Sequence, residues 1–207
     1  MPRAFYSRPV LVVARALLGR ALVHDAPEGR TAGLIVEVEA YGGERDPASH
    51  AFRGATPRNR VMFGAPGHAY VYFTYGMHHC VNVVTGAKGQ ARAVLVRALE
   101  PIEGLELMRR RRGVEVLERL ARGPGCVTEA LGLTRADDGV DLTRGPLWIA
   151  DHPAVRRGPV VRTPRIGIRV AAERPWRLLF AGHPCASGAP IRTAVTARRV
   201  SNRSRRR

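Results

Sequence analysis

Residues 70–82 read YVYFTYGMHHCVN, in which two runs rich in aromatic and β-branched side chains flank Gly76. Glycine adopts the positive φ that a tight turn requires, so the chain is expected to turn at residues 74–77. The stretch therefore predicts a β-hairpin, with YVYFTY as its first strand and CVNVV as its second. A hairpin at this point indicates an antiparallel sheet.

The two strands of this hairpin carry polar rings and an amide that can face one pocket. Because side chains alternate with a period of two, Tyr72 and Asn82 can meet on the same face of the hairpin. Tyr75 and Met77 are expected at its exposed tip. Tyrosines are more often part of a core than of a base-stacking surface. A tyrosine and a methionine at a turn, however, are typical of apolar wedges that unstack a base step.

Short alternating runs recur along the rest of the chain, separated by turns rich in glycine and proline. The other predicted strands are RALVH, TAGLIVEVEAY, RAVLVRALE, GPLWIAD, RIGIRV and WRLLFAG. Helices are predicted at PVLVVARALL, ending at Gly19, at residues 102–122 with a break at Gly113, and at GCVTEALGL. Strands outnumber helices and most of their connections are hairpins. The predicted fold class is α+β with an antiparallel sheet.

The composition points to a polyanionic partner. The 207 residues carry a net charge of +17, and Lys88 is the only lysine, so nearly all of the positive charge is arginine. Guanidinium groups match phosphate oxygens better than lysine does, which favours a nucleic acid. A general bias toward arginine, with many charges merely solvated, is the alternative. Residues 1–196 are expected to form one domain, followed by a basic, disordered tail at 197–207.

Cysteine and histidine positions argue against a metal centre. Cys80, Cys126 and Cys185 are odd in number and widely separated, so neither a disulfide framework nor a zinc site is predicted. His78 and His79 point apart on a strand, and no acidic or cysteine ligand lies at the usual spacing. We expect no metal, a reducing cytoplasmic compartment and no membrane-spanning segment.

Two carboxylates and a phenol fall on one face of the predicted strand IVEVEAY. Glu37, Glu39 and Tyr41 share that face, which is either a solvated edge or the wall of an active site. Arg97 lies between leucines on RAVLVRALE and needs a partner there, unless it lies on an edge strand in water. A carboxylate of the IVEVEAY strand is the obvious partner. Alternation alone does not choose between Glu37 and Glu39 as the working acid.

A long loop rich in glycine, proline and arginine follows this strand, at residues 42–69. Loops of that length inside compact domains are usually functional or disordered. Its segment TPRNR offers side chains of the kind that bind phosphate, namely Thr56, Arg58, Asn59 and Arg60. They agree with the net charge and are expected to contact a nucleic-acid backbone.

Taken together, these motifs resemble those of the alkyladenine (3-methyladenine) DNA glycosylase family, found in mammals and many bacteria. The resemblance runs through EVEAY, DPASHAFRG, TPRNRVMFGAPGHAYVYFTYGMHHCVNVV and LVRALEP. It continues through GPGCVTEALGL, RIGIR and WRLLFAGHP, and so spans nearly the whole chain. It implies a single mixed domain around a curved antiparallel sheet, from which a DNA-binding hairpin protrudes. His79 departs from the family pattern, since many relatives carry a larger aromatic ring there.

The resemblance implies roles for the polar residues of the two central strands. Glu39, and not Glu37, corresponds to the general base that positions and deprotonates the attacking water. Arg97 corresponds to the arginine that helps to hold this water and the carboxylate. No metal or cofactor is implied.

The same resemblance assigns the base-binding residues. Tyr41, His50 and Tyr72 correspond to the walls that enclose a flipped base and bond its edge, and Asn82 to the residue that rejects the exocyclic amine of guanine. Tyr75, with Met77 beside it, corresponds to the residue that fills the gap in the duplex.

The function implied is that of a monofunctional DNA glycosylase of base excision repair. It would hydrolyse the N-glycosidic bond of 3-methyladenine, 7-methylguanine, hypoxanthine and ethenoadenine after flipping them out of double-stranded DNA. A bacterial, cytoplasmic, nucleoid-associated monomer is expected. One alternative is a non-catalytic basic protein, such as an architectural DNA binder, which would explain the charge and the wedge but not a Glu39–Arg97 pair. The other is a catalytically inactive lesion sensor with the same pocket.

Overall fold

One antiparallel sheet organises the protein in a computed structural model that describes residues 1–74, 76–153 and 158–188. Its strands are β1 (Ala21–Ala26), β2 (Gly29–Tyr41), β3 (Ala69–Thr74), β4 (His78–Thr85), β5 (Arg92–Glu103), β6 (Leu147–Ala150), β7 (Val160–Thr163) and β8 (Arg177–Phe180). They follow the order β3-β4-β5-β2-β1-β6, and β8 joins β2 to β7. All of these described pairs are antiparallel. The predicted α+β class with an antiparallel sheet is confirmed.

The long strands β2 and β5 form the centre of the sheet. The first part of β2 pairs with β1 and the last part with β8, while β5 runs along its other edge. The register between β2 and β5 shifts between Ala32 and Gly33 and on either side of Glu37. Such β-bulges bend a strand and increase its twist, which curves the sheet around Glu37.

The helices pack against the sheet. Those in the described residues are α1 (Arg3–Tyr6), α2 (Val10–Leu17), α3 (Leu105–Arg112), α4 (Leu117–Leu120) and α5 (Pro124–Leu131). The break predicted at Gly113 is present, because this residue adopts φ 59° and ends α3. Within the described ranges, every helix is too short or too polar to cross a membrane.

The apolar core lies between one face of the sheet and the helices. Val36, Val38 and Ala40 of β2 point into this core, as the alternation predicted. A smaller cluster lies on the other face, where Ala51 and Met62 of the long loop pack against β3, β4 and β5. The loop is therefore folded onto the sheet, and the space between them forms the candidate site.

The β3–β4 hairpin turns within the predicted residues 74–77. Its strands pair from Ala69 opposite Val83 to Thr74 opposite His78. Gly76 adopts φ 70°, in the left-handed region that favours glycine. The hairpin therefore reverses direction where the sequence indicated.

Two segments differ from the prediction. RIGIRV, predicted as a strand, is irregular, and β7, which was not predicted, pairs with β8 instead. The reason is that the N–H of Ile166 donates to the carboxylate of Glu39 at 2.7 Å and so is not available to a neighbouring strand. The basic tail at 197–207 lies outside the described residues.

Candidate active site

A cavity of about 210 Å³ lies between the β3–β4 hairpin, the central strands, the long loop and the irregular segment after β7. The side chains predicted to enclose a base all line it: Tyr41, His50, Tyr72 and Asn82. Arg97 lines it as well. The volume is below the range of about 300–1,000 Å³ that is typical of pockets for drug-sized ligands. The cavity therefore suits a single flat group of roughly the size of a nucleobase.

A neutral aromatic cluster forms one wall of the cavity. The ring centroids of His50 and Tyr72 are 4.5 Å apart with an interplanar angle of 74°. The Nδ1 atom of His50 is 3.0 Å from the hydroxyl of Tyr70. Burial, followed by the nearby charge of Arg58, lowers the pKa of His50, so its imidazole is uncharged at pH 7. Burial also raises the pKa of Tyr70 to about 12. An uncharged wall of rings offers stacking surfaces to a base without repelling a positively charged one.

Glu39 lies immediately behind the cavity and is fully buried. Its Oε1 accepts a hydrogen bond from the N–H of Ile166 at 2.7 Å and lies 3.2 Å from Nη1 of Arg97. Its Oε2 accepts a hydrogen bond from the hydroxyl of Tyr41 at 2.9 Å. The three donor residues line the cavity, so the carboxylate lies in the layer next to it. Because each carboxylate oxygen has about two acceptor positions, the donors among the described residues leave one position of Oε2 open.

Glu37 is also fully buried, and its carboxylate accepts four hydrogen bonds. Its Oε1 accepts hydrogen bonds from Nε of Arg97 at 2.9 Å, Nε of Arg177 at 2.7 Å and the hydroxyl of Ser187 at 2.8 Å. Its Oε2 accepts one from the N–H of Ser187 at 2.5 Å. A solvated strand edge, one of the two interpretations of this face, is therefore wrong. The donors to the two carboxylates differ in position, because Tyr41 and Ile166, which hold Glu39, line the cavity, whereas Arg177 and Ser187, which hold Glu37, do not. That difference favours Glu39 as the acid next to a ligand in the cavity.

Arg97 connects the two carboxylates, and each of its three side-chain nitrogens has a partner. Nε donates to Glu37, Nη1 faces Glu39 and Nη2 donates to the hydroxyl of Ser187 at 3.3 Å. The expected pairing of Arg97 with a carboxylate of β2 is confirmed, and both acids share it. The edge-strand alternative is wrong, since β5 lies between β4 and β2. A buried guanidinium is tolerated when its charge and its donors are satisfied in this way.

A second buried ion pair, which the sequence analysis missed, holds the irregular segment over the site. Arg165 donates to both oxygens of Asp46, Nη1 to Oδ2 at 2.5 Å and Nη2 to Oδ1 at 2.9 Å. Its guanidinium lies 4.8 Å from the ring centroid of Tyr41 and 5.4 Å from that of Trp176. The pair thereby fixes the backbone N–H of the next residue against Glu39. No local pattern could reveal the pair, because its partners are 119 positions apart.

Tyr41 links the cavity to both buried ion pairs. Its ring packs on Arg165, and its hydroxyl donates to Glu39. Burial, followed by the neighbouring Glu39 carboxylate, raises the pKa of Tyr41 well above its usual value. The phenol therefore remains a hydrogen-bond donor at every pH at which the protein would be assayed.

Asn82 lines the cavity, but its cross-strand neighbour is Tyr70 and not Tyr72. Tyr72 lies opposite Cys80, so Tyr72 and Asn82 are diagonal neighbours on the cavity wall. The Nδ2 of Asn82 donates to the backbone oxygen of Tyr70 at 3.0 Å. Within the described part of the chain, no hydrogen bond is donated to its Oδ1. The amide is thus anchored to the hairpin by one end only.

The four residues predicted to contact a DNA backbone fall into two groups. Thr56, Arg58 and Arg60 are exposed, and Nη2 of Arg58 donates to the backbone oxygen of Phe73 at the end of β3. Asn59, in contrast, is only 2% exposed. Arg58 thereby lies beside the hairpin, and all three side chains are accessible from the solvent.

Asn59 forms hydrogen bonds within the loop, which corrects the expectation that it contacts a phosphate. Its Nδ2 donates to the backbone oxygens of His50 and Gly54 at 2.8 and 3.0 Å, and its Oδ1 accepts from the N–H of Thr56 at 2.7 Å. An amide whose groups are used in this way braces the loop. It thereby holds His50 in the wall of the cavity.

The tip of the hairpin bears Met77, which is 69% exposed. A large apolar side chain so exposed beside the cavity is available to a partner surface. Tyr75, the other predicted wedge, lies outside the described residues. The ring of His79 packs 5.1 Å from that of Phe73, centroid to centroid, along the hairpin.

Among residues 1–74, 76–153 and 158–188, no three histidine, cysteine or acidic side chains come together as metal ligands. The polar groups at the cavity include carboxylates, guanidinium groups, phenols, one imidazole and the amide of Asn82.

A buried carboxylate held against an arginine, behind an aromatic cavity the size of a base, defines an enzyme that acts on a nucleobase-containing substrate. Comparison with known proteins agrees. The methylpurine-DNA glycosylase family model matches residues 4–184. The chain belongs to this family of DNA glycosylases.

Similar proteins occur in archaea and bacteria. The chain is 51% identical over 192 residues to a protein of Methanocella arvoryzae, covering 90% of this chain and 95% of that one. It is 53% identical over 185 residues to one from Methanoculleus marisnigri, covering 88% and 95%. A protein of Burkholderia orbicola is 51% identical over 195 residues, or 93% of each chain. The names of all three describe them as 3-methyladenine DNA glycosylases.

Proposed function

We propose that this protein excises alkylated and deaminated purines from double-stranded DNA by hydrolysing their N-glycosidic bond. The observation that carries the proposal is the open acceptor position of Glu39, the buried carboxylate that Arg97 and Tyr41 hold directly behind a base-sized cavity. A base flipped into the cavity would bring its sugar toward this carboxylate. The damaged base leaves as free purine, and an abasic site remains in the DNA.

Glu39 would serve as the general base. The water that attacks the sugar carbon donates a hydrogen bond to the open acceptor position of the carboxylate and transfers its proton there. Arg97 and Tyr41 hold the carboxylate in place while this happens, because each is itself fixed by a further partner. The transition state carries positive charge on the sugar, which a nearby negative carboxylate also stabilises.

The substrate determines how much help the leaving group needs. 3-Methyladenine and 7-methylguanine already carry a positive charge and leave readily, and the uncharged wall formed by His50 and Tyr72 does not repel them. Hypoxanthine and ethenoadenine are neutral and need protonation as they leave. Cationic bases should therefore be released faster than neutral ones.

The reaction would end at the abasic site. Cleavage of the strand by a glycosylase requires an amine that forms a Schiff base with the sugar. Lys88, the only lysine, is exposed and is not among the residues that line the cavity. We therefore propose a monofunctional enzyme. We propose separately that it acts as a monomer in the bacterial cytoplasm.

Release of free base from alkylated double-stranded DNA, measured by chromatography, tests this function. Release without strand breakage is expected. A protein that bound lesion-containing DNA but released no base would instead be the lesion sensor or architectural binder considered as the alternative.

Asn82→Ser is expected to raise the excision of guanine relative to hypoxanthine by about tenfold. The amide is anchored on the cavity wall, and a fixed side chain there can exclude the additional amino group of guanine by steric clash. Removing a group that rejects one substrate commonly changes discrimination by about 10–200-fold. Single-turnover rates on the two bases, in wild type and variant, provide the ratio. Equal reductions on both bases would show that Asn82 only braces the hairpin.

Arg58→Ala and Arg60→Ala are each expected to make the salt dependence of binding to undamaged duplex shallower. Each phosphate neutralised contributes about −0.9 to the slope of log K against log salt concentration. Arg111→Ala is the control, because the charge of Arg111 is already balanced by the carboxylate of Glu28, 3.1 Å away. Filter-binding titrations at several salt concentrations measure the slope. Equal slopes for all four proteins would exclude the loop from the DNA contact.

A further inference from the structure

The segment that follows β8 reaches back into the candidate site. The family match ends at residue 184, yet the next residues remain well buried, with Cys185 at 1% and Ser187 at 8% exposure. No feature of the sequence near Ser187 indicates a role. Its position in the fold does, because it lies against the same carboxylate that holds Arg97.

Ser187 forms hydrogen bonds with Glu37, Arg97 and Arg177. Its N–H and its hydroxyl donate to the two oxygens of Glu37 at 2.5 and 2.8 Å, and its hydroxyl accepts from Nη2 of Arg97 at 3.3 Å. Its backbone oxygen accepts from Nη2 of Arg177 at 2.6 Å. From outside, Arg122 donates to the backbone oxygens on either side of Ser187.

We infer that Ser187 is a positioning residue that orients the guanidinium of Arg97 toward Glu39, an inference that rests on the proposed function. A guanidinium is planar, so fixing Nε and Nη2 determines where Nη1 points. Glu37 fixes Nε and Ser187 fixes Nη2, and Nη1 is left directed at Glu39 at 3.2 Å. Ser187 neither lines this cavity nor contacts Glu39, so it acts through Arg97, directly and by way of Glu37.

The hydroxyl is the part of Ser187 that matters for this role. The backbone N–H and carbonyl of residue 187 would tie the segment to Glu37 and Arg177 whatever the side chain. Only the hydroxyl reaches Arg97. Removing it should therefore affect the reaction more than the fold, whereas a purely structural serine would affect both together.

The test compares Ser187→Ala with Ser187→Thr in the full-length protein. Ser187→Ala is expected to lower the single-turnover excision rate about tenfold at saturating enzyme, the effect expected for a lost hydrogen bond to a charged group. Its affinity for DNA containing an abasic-site analogue should stay within about twofold, since no DNA contact is removed. Ser187→Thr retains the hydroxyl, and a cavity of about 450 Å³ that Ser187 itself lines leaves room for the added methyl group. It should recover most of the rate.

Two further variants complete the test. Ser7→Ala removes a surface hydroxyl that donates only to a backbone oxygen and should change nothing. Arg122→Ala loosens the segment from outside without touching the buried charges, and a rate lowered about threefold is expected because Ser187 is then held less firmly. If Ser187→Ala does not fold, the excision rate of Arg122→Ala still tests the positioning role.

The outcomes are distinct. Wild-type protein that releases no base overturns the proposed function. Active wild type with unchanged Ser187→Ala overturns the positioning role, as does a loss that Ser187→Thr fails to recover or that thermal melting explains by unfolding alone.

Discussion

Replacing Glu39 with glutamine is expected to lower the single-turnover rate of base release by about a thousandfold, within the range of about 10²–10⁴ that general bases contribute. Glutamine has nearly the same shape but cannot take a proton from water. Binding of lesion-containing DNA should stay within a few-fold, because the carboxylate lies behind the cavity wall and is fully buried. Rapid-quench release of hypoxanthine, with DNA binding measured in parallel, tests both expectations.

The control variant for this experiment must leave the buried ion pairs of Arg97 with Glu37 and Glu39 intact. Glu37 is the neighbouring acid on the same face, but it is hydrogen-bonded to Arg97 and cannot serve as a neutral substitution. Glu103→Gln, at the exposed end of β5, is suitable. Release by Glu39→Gln at close to the wild-type rate would remove Glu39 from the mechanism.

Replacing Glu37 with glutamine is expected to destabilise the fold strongly. Among the described residues, Glu37 is the only carboxylate paired with Arg177, which is 5% exposed, and it also holds Arg97. Removing one partner of a buried ion pair typically costs about 3–5 kcal/mol, because the remaining charge is left uncompensated. For a chain of this size such a loss lowers Tm by on the order of 10 °C.

Thermal melting and urea titration of the two glutamine variants separate the roles of the two acids. Glu37→Gln should lose stability, and its activity should fall as well because Arg97 loses its anchor. Glu39→Gln should lose activity and change the free energy of unfolding by less than about 2 kcal/mol, since Arg97 still pairs with Glu37. If Glu37→Gln melts at the wild-type temperature, the charges of its two arginines must be compensated by other groups.

Local patterns in the sequence were sufficient for the described strands other than β7 and for one face of the site. Alternation placed Glu37, Glu39 and Tyr41 together, and the leucines around Arg97 indicated a buried pair. RIGIRV alternates equally well and is not a strand, because the side chain of Glu39 takes the N–H of Ile166. The two-residue alternation of a sequence cannot reveal that a distant side chain competes with a neighbouring strand for a backbone N–H.

The choice between the two acids required the folded chain or the family resemblance. On the strand they are equivalent, and they differ only in their donors. Apart from Arg97, which both acids share, the donors of Glu37 come from Arg177 and Ser187, which are 140 and 150 positions away. Asn59 illustrates the same limit, since its type suits a phosphate contact and only its burial shows that it braces the loop. The type of a side chain indicates which interactions it can make, whereas its actual hydrogen-bond partners depend on tertiary contacts.

The distance along the chain between Glu37 and Ser187 also bears on how the enzyme is made. A ribosome synthesises β2 early, and Arg97 follows with β5, but Arg177 and Ser187, which supply the other donors to Glu37, emerge only with β8 and the segment after it, 140 to 150 residues after Glu37. Until then Glu37 lacks most of its hydrogen-bond donors, and burying an incompletely paired acid has a large cost. The central sheet should therefore close late, after most of the chain has left the ribosome, and a nascent chain should be unable to excise bases.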